Sequence, residues 1–354
     1  MPEDIRKNFS SDNVVRVCPE VMQALVEANN GSASAYGNDS HTDLLNTRFG
    51  EIFETEVAVF PIVTGTASNS LALSALVSPF GSVICDQVAH IQNDEGGAPE
   101  FFMHGAKIVT VPSSNGLMQV DVLQKTIHEK KAAGLLAPPI HALSLTQTNE
   151  WGIVYQPPHL TALSAAAHAE GLSVHLDGAR LGNAIAALNC TPAETTWKAG
   201  IDVLTFGGTK NGAMAAEAVI FFLNERTRPH IQDFQRRIKR SGHLWSKHRY
   251  LSVQLLALLE GNLWLRNAAH ANRMAQRLSN GLKKHPSITL AYPTESNEVF
   301  VTLPNATINT LEKAGFGFYR WPTPPHISGT MIRLVTSFDT REKDVDAFLS
   351  HIFP

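Results

Sequence analysis

Between residues 56 and 222, short apolar runs rich in β-branched residues alternate with longer stretches in which apolar positions recur at three- and four-residue spacing. The short runs, at 57–63, 82–85, 107–111, 142–146, 173–176, 202–206 and 218–222, have the length and composition of strands. The longer segments at 68–77, 121–133 and 158–170 carry helical spacing; the last is opened by Pro157-Pro158 and stopped by Gly171. This alternation predicts an α/β fold with a mostly parallel sheet covered by helices, and places ligand chemistry at the carboxyl ends of the strands.

After about residue 247 the pattern changes to long helices at 250–260 and 263–284, then strand-like runs at 298–303, 316–320 and 331–335, then a last helix from Arg341. The expected organisation is a large domain over 1–247, amino-terminal arm included, and a smaller α+β domain over 248–354. Leu251, Leu255, Leu256, Leu258 and Leu259 would equally suit a helix bridging the two. Neither an internal repeat nor a low-complexity tract interrupts the chain.

Length agrees with two domains, since 354 residues exceed the ~250 to 300 at which single cores stop growing. The hydrophobic fraction of 44% and charged fraction of 17% are globular, and a formal charge of −3 gives no electrostatic reason to expect nucleic acid or a membrane surface as partner. A small-molecule substrate is expected instead. Cys18, Cys85 and Cys190 lack the spacing of a zinc site or a disulfide framework, and Met1-Pro2-Glu3-Asp4 carries acid where a signal peptide carries base. With no 18-residue apolar run, these features point to a soluble cytoplasmic protein.

The chemistry concentrates at two strand ends. Asp177-Gly178-Ala179-Arg180 closes one strand, and Lys210, in Gly207-Gly208-Thr209-Lys210-Asn211-Gly212, follows the next. An acid there would stabilise the protonated pyridine nitrogen of pyridoxal 5'-phosphate, and the lysine would form a Schiff base with its aldehyde. Thr64-Gly65-Thr66-Ala67-Ser68-Asn69 joins a strand to a helix, where small residues and a helix N-terminus suit a phosphate. Arg180 would reach the cofactor's phenolic oxygen and a substrate carboxylate. Singly, these are an ordinary turn, an exposed ion pair and a surface lysine; together they describe a cofactor held at both ends.

The order of motifs resembles the L-threonine aldolases, or β-hydroxy-α-amino-acid aldolases, of the fold type I pyridoxal phosphate enzymes, along nearly the whole chain. Ser10-Ser11-Asp12-Asn13 is similar to the family's amino-terminal Ser-Asp pair, which implies that Ser11 contacts the substrate carboxylate. Ala35-Tyr36-Gly37-Asn38-Asp39 resembles the Tyr-Gly-x-Asp segment at a subunit interface, implying Tyr36 as a pocket residue. Gly65, Thr66 and Ala67 match the phosphate loop. Ala89-His90-Ile91 with Glu95-Gly96-Gly97 matches the segment whose histidine stacks on the cofactor. The string from Val174 to Arg180 matches the family's most specific motif, Lys210 its Schiff-base lysine, and Met331-Ile332-Arg333-Leu334-Val335-Thr336 the run whose arginine grips the substrate carboxylate. The resemblance implies retro-aldol cleavage of threonine or allo-threonine to glycine and acetaldehyde, in a dimer or tetramer with shared active sites.

Two segments depart from the family pattern. Gln147-Thr148-Asn149-Glu150 stands where most members read Asn-Thr-His-Asn, so Asn149 replaces a histidine, and an amide cannot serve as a general base. That leaves His90, directly or through a water near His90 and Glu95, as the expected base. Ser241-Gly242-His243-Leu244-Trp245-Ser246-Lys247 replaces a glycine-rich stretch with a phosphate-binding arginine, which leaves Lys247 to supply the charge; Arg236, Arg237, Lys239 and Arg240 read as a solvated helix face. Of fifteen histidines, His128 and His168 read as surface or packing residues and His175 as core, and no His-Glu-x-x-His spacing suggests a metal. The competing readings are a phenylserine-preferring aldolase, an aminotransferase or β-eliminating lyase of the same fold type, and a non-catalytic pyridoxal-binding regulatory protein. A nicotinamide enzyme is disfavoured because no Gly-x-Gly-x-x-Gly follows a strand.

Overall fold

A computed structural model describes residues 6–113, 116–285, 288–323 and 329–352; the acidic start from Met1 to Asp4 lies outside them. The large sheet contains β1 (Val57–Ile62), β2 (Ser82–Asp86), β3 (Lys107–Val111), β4 (Ile140–Thr146), β5 (Ser173–Gly178), β6 (Val203–Gly207) and β7 (Glu217–Phe222), in the spatial order β1-β7-β6-β5-β4-β2-β3. β7 runs antiparallel to both neighbours, and every other pair is parallel. All six residues of β7 are buried, as an interior strand between helix layers requires.

Alternation along each strand divides the apolar side chains between two cores. Ile84, Leu143, Leu145, Val174, Leu176, Leu204 and Phe206 face one layer of helices, which includes Ser40–Phe53, Pro157–Ala169 and Arg249–Leu259. Their neighbours Val83, Cys85, Ala142 and Val203 face the other, built on the helices Gly65–Leu76 and Ile231–Arg240. The helix Arg249–Leu259 sends Leu255, Leu258 and Leu259 into the first core, so it packs as part of the large unit. Cores change along the next helix, Leu263–Leu282: Leu263 and Trp264 lie in the large one, Met274, Ala275, Leu278 and Leu282 in the small one.

The small unit carries an antiparallel sheet of β8 (Thr289–Leu290), β9 (Glu298–Leu303), β10 (Tyr319–Arg320) and β11 (Thr330–Val335), in the order β10-β11-β9-β8. The strand expected at 316–320 is confined to Tyr319–Arg320. Phe316 is drawn instead into the core, and Gly317 pairs with Asn8 of the amino-terminal arm. That arm, grouped by sequence with the large unit, packs on the small one: Phe9 is buried with its ring 5.3 Å from Phe348, and Val335 N–H donates to its carbonyl at 2.8 Å. Burial of a phenylalanine outweighs chain proximity here. No described helix is long and apolar enough to cross a membrane.

Candidate active site

The carboxyl ends of β1, β2, β4, β5 and β6 converge on a cavity of about 420 Å³. β5 delivers Asp177, which is buried; its Oδ1 accepts the Ala179 N–H at 3.0 Å and its Oδ2 the Asn69 amide at 2.8 Å. Both oxygens are therefore oriented before any ligand arrives. The turn after β6 carries Lys210 into the same cavity. Its flanking glycines are required by packing: a Cβ at Gly207 would collide with the Ala179 backbone and one at Gly208 with the Ala216 carbonyl. Glu217, at the start of the reversed strand β7, accepts the Gly208 N–H at 2.8 Å and pins the turn from below. Burial pushes the Glu217 carboxyl up to about 7.

Thr64 caps the helix Gly65–Leu76 by accepting the Ala67 N–H at 3.2 Å. Gly65 and Thr66 line the cavity, and their amides lie in the first turn, where N–H groups have no helical partner. Ala67 is buried and does not line it. After β2, His90 also lines the cavity, with its Nδ1 2.9 Å from Glu95 Oε1. That hydrogen bond raises the His90 pKa against the effect of burial, and burial raises Glu95.

The loop after β4 resolves the departure at Asn149. Asn149 is buried; its Oδ1 accepts from Trp151 N–H and Ile153 N–H, both at 3.0 Å, and its amide donates to the Gly116 carbonyl. It shapes a turn. The next residue, Glu150, also lines the cavity, and its Oε1 accepts the His90 N–H at 2.7 Å and the Thr146 hydroxyl at 3.2 Å. Burial pushes its carboxyl up to about 8, with Asp177 and Asp86 adding repulsion.

Arg180 is partly buried and lines the cavity through a fork held by acids. Its Nε and Nη2 donate to Asp12 Oδ2 and Oδ1 at 2.8 and 3.0 Å, and its Nη1 lies 3.3 Å from Glu298. These acids hold Arg180 protonated despite burial. Arg333, set on β11, donates to the Ser10 carbonyl at 3.2 Å, faces Glu298 at 3.8 Å and stacks on Trp321, 4.3 Å from its ring centre. Ser11 caps the short turn Asp12–Val14, accepting the Asn13 N–H at 3.1 Å; Asn13, not Ser11, lines the cavity.

Tyr36 and Lys247 lie elsewhere. Tyr36 is exposed, with φ of 59°, its N–H bonded to the Ser246 carbonyl at 3.1 Å and Lys239 Nζ 4.6 Å over its ring. Lys247 is exposed on the same patch and does not line the cavity of its own chain. The buried polar residues Asn69, Glu217, Asp12 and Glu298, and the half-buried Glu150, carry no role that sequence alone reveals. Asn69 and Asp12 at least sit inside segments that stand out for other reasons.

A doubly wound sheet with an acid, a lysine and a helix N-terminus at one cavity fits the beta-eliminating lyase family, whose profile matches residues 8–306. The low specificity L-threonine aldolase of a Pseudomonas species is 42% identical over 342 residues, covering 97% of this chain and 96% of that protein. That of Pseudomonas aeruginosa is also 42% identical, over 95% and 94%. Among solved structures, the threonine aldolase of Leishmania major superposes with a TM-score of 0.90 at 31% identity, covering 98% of each chain. The chain belongs to the L-threonine aldolase family.

Proposed function

We propose that this chain binds pyridoxal 5'-phosphate and cleaves L-threonine, L-allo-threonine and related β-hydroxy-α-amino acids to glycine and an aldehyde. The observation that carries the reading is the convergence of Asp177, Lys210, His90, Arg180 and the Gly65–Thr66 helix start on one cavity. The donor set fits the cofactor: an acid already oriented by two donors for a ring nitrogen, a lysine for an aldehyde, a helix N-terminus for a phosphate. When bound, pyridoxal phosphate supplies the electron sink for the carbanion left at Cα.

The protein's residues supply the rest. Asp177 would pair with the protonated ring nitrogen, Gly65 and Thr66 would receive the phosphate at the helix start, and Lys210 would hold the aldehyde, while Ala67 keeps its N–H on the Thr64 cap. Arg180, pre-aimed by Asp12, would hold the substrate carboxylate together with Arg333, while Ser11 shapes the turn that brings Asn13 to the cavity. Charge-assisted bonds worth ~1.5 to 3 kcal/mol each would fix the orientation of the substrate about Cα and so select the Cα–Cβ bond for cleavage. His90 Nε2 removes the β-hydroxyl proton as that bond breaks and the aldehyde leaves. Tyr36 and Lys247 serve the cavity of a neighbouring subunit in a homodimer or tetramer; their exposure on one patch away from their own cavity supports this. Three free cysteines agree with a cytoplasmic location.

Incubation with L-threonine and pyridoxal phosphate, coupled to an alcohol dehydrogenase, tests the reading. Stoichiometric acetaldehyde and glycine are expected. Transfer of the amino group to a keto acid without aldehyde release would refute it in favour of an aminotransferase.

A further inference from the structure

His90 is gripped twice: Glu150 Oε1 takes its backbone N–H at 2.7 Å, and Glu95 Oε1 meets its ring Nδ1 at 2.9 Å. The Glu95 side chain is fully buried, whereas the imidazole is partly open to the cavity. Beyond Glu95 the chain of contacts continues. Asn69 Nδ2 donates to Glu95 Oε1 at 2.8 Å and to Asp177 Oδ2 at 2.8 Å, so both of its amide hydrogens are used. Those two carboxylate acceptors also settle the amide's orientation, because the reverse orientation would set a carbonyl oxygen against both. Neither Asn69 Oδ1 nor Glu95 Oε2 has a hydrogen-bond partner among the described residues. Two buried polar atoms are thus left unpaired among the described residues, which costs stability.

We propose that Glu95 is the positioning residue that makes His90 a base: it holds the imidazole as the Nδ1–H tautomer with Nε2 toward the cavity, and Asn69 ties this dyad to Asp177. This rests on the reading of His90 as the group that takes the β-hydroxyl proton. Glu95 Oε1 already accepts the Asn69 amide, and a carboxylate has no hydrogen to give the ring, so His90 Nδ1 carries the hydrogen of this contact. Nε2 is then the free lone pair. The groups facing the imidazole are Glu95 on the loop after its own short helix, Asp177 on β5 and Lys210 after β6, with Glu150 at its backbone. Of these, Glu95 alone bonds the ring, and its hydrogen bond strengthens His90 as a base. Asn69 brings a second consequence. Because one amide serves Glu95 and Asp177 together, loss of Asn69 disturbs the base and the acid under the cofactor ring at once.

The test is Glu95→Gln in the full-length protein, with pH profiles of kcat/KM, the visible band of the bound cofactor, and nitrogen-15 spectra of the histidine rings with and without cofactor. The acidic limb of kcat/KM, which reports His90 losing its proton, is expected to move to lower pH by about one unit, with turnover reduced ~10- to 100-fold. The His90 ring should lose its fixed Nδ1–H tautomer, and the cofactor band should stay as in wild type. An acidic limb and an imidazole tautomer both unchanged would overturn the proposal. Glu95→Asp, too short to keep the 2.9 Å bond, is read the same way should the glutamine variant not fold. Asn69→Ala should move the limb and also weaken cofactor binding; a shift in neither would equally overturn it. A tautomer change in Glu95→Gln, with a wild type that releases no aldehyde, would support the dyad and refute the proposed function.

Discussion

Arg180 is bound to Asp12 through both carboxylate oxygens, at 2.8 and 3.0 Å, which leaves only Nη1 of its fork turned to Glu298. Asp12 belongs to the amino-terminal arm, Arg180 to the large unit and Glu298 to β9 of the small one, so this contact ties together three parts of the chain. Burial acts to raise the Asp12 pKa, but the Arg180 and Lys210 charges outweigh it and hold it below the usual carboxylate range. Removing one partner of a buried pair costs ~3 to 5 kcal/mol because the other charge is stranded. Asp12→Ala should therefore lower stability by that amount in urea unfolding and raise KM for threonine more than it lowers kcat. Wild-type stability and KM would show that Arg180 does not depend on Asp12.

The buried carboxyl of Glu150 makes stability depend on pH in a stated direction. Its pKa is about 8 in the folded chain against an ordinary value of 4.5, so the folded state binds the proton more tightly. This stabilisation is complete below about pH 4.5 and is lost as the pH rises toward 8, by about 1.4 kcal/mol for each pH step of one between those limits. Glu150→Gln mimics the protonated acid and carries no such dependence. The melting temperature of the variant relative to wild type should thus climb steadily between pH 5 and pH 8. A difference that stays flat across this interval would mean that Glu150 is ionised in the fold.

Asn149 tests the opposite kind of assignment. Its oxygen and its amide are consumed by the backbones of Trp151, Ile153 and Gly116, so its work is to hold a turn. Asn149→Ala should cost ~1 to 3 kcal/mol by stranding those buried groups, measured by thermal or urea unfolding. The pH profile of the folded variant should keep the wild-type acidic limb. A displaced limb would make Asn149 part of the proton-transfer machinery.

What can be read from sequence, and what cannot, divides along a physical line. Asp177, Arg180, Lys210 and the Thr64 cap stand at the ends of apolar runs, and a strand end is a local signal carried by a few neighbouring residues. Asn69, Glu217 and Glu298 have no such signal. Each is a polar residue buried by contacts with distant segments, and an isolated Glu in sequence is most often solvated. The direction of β7 is equally hidden, because a run such as Glu217–Phe222 has no polarity until its partners are known. The glycines beside Lys210 are plain in the sequence, but the reason for them is not: a side chain there would meet the Ala179 and Ala216 backbones. Asn149 is visible as a departure from the family pattern, yet only its three backbone partners show why an amide belongs at that position.

Gly207 carries a sharper consequence of that packing. Its hydrogen faces the Ala179 backbone, between the strand that ends in Asp177 and the turn that holds Lys210. In Gly207→Ala a methyl group would meet backbone rather than a flexible side chain, so β5 and β6 must part locally. Overpacking of this kind costs ~1 to 3 kcal/mol. The separation of the acid and the lysine would change with it, so cofactor affinity should fall together with stability. Titration of the variant with pyridoxal phosphate, followed by its visible band, measures this. A wild-type affinity would show that the strand ends can yield without moving Asp177 or Lys210.

Lys247 and Tyr36 decide whether the site is completed between subunits. The two share an exposed patch with Lys239, and neither reaches the cavity of its own chain. If Lys247 supplies a phosphate contact to a neighbour, Lys247→Ala should weaken cofactor binding ~10- to 100-fold, the equivalent of one charge-assisted bond of ~1.5 to 3 kcal/mol. Lys210→Ala should lose the cofactor's covalent anchor, with its visible band, and all turnover. A mixture of the two variants, unfolded and refolded together, then separates the possibilities. With shared sites, some mixed assemblies place an intact Lys210 and an intact Lys247 at one cavity, and their cofactor affinity should recover toward wild type. With sites built from single chains, every cavity keeps one defect or the other, and the mixture should behave as the sum of its parts.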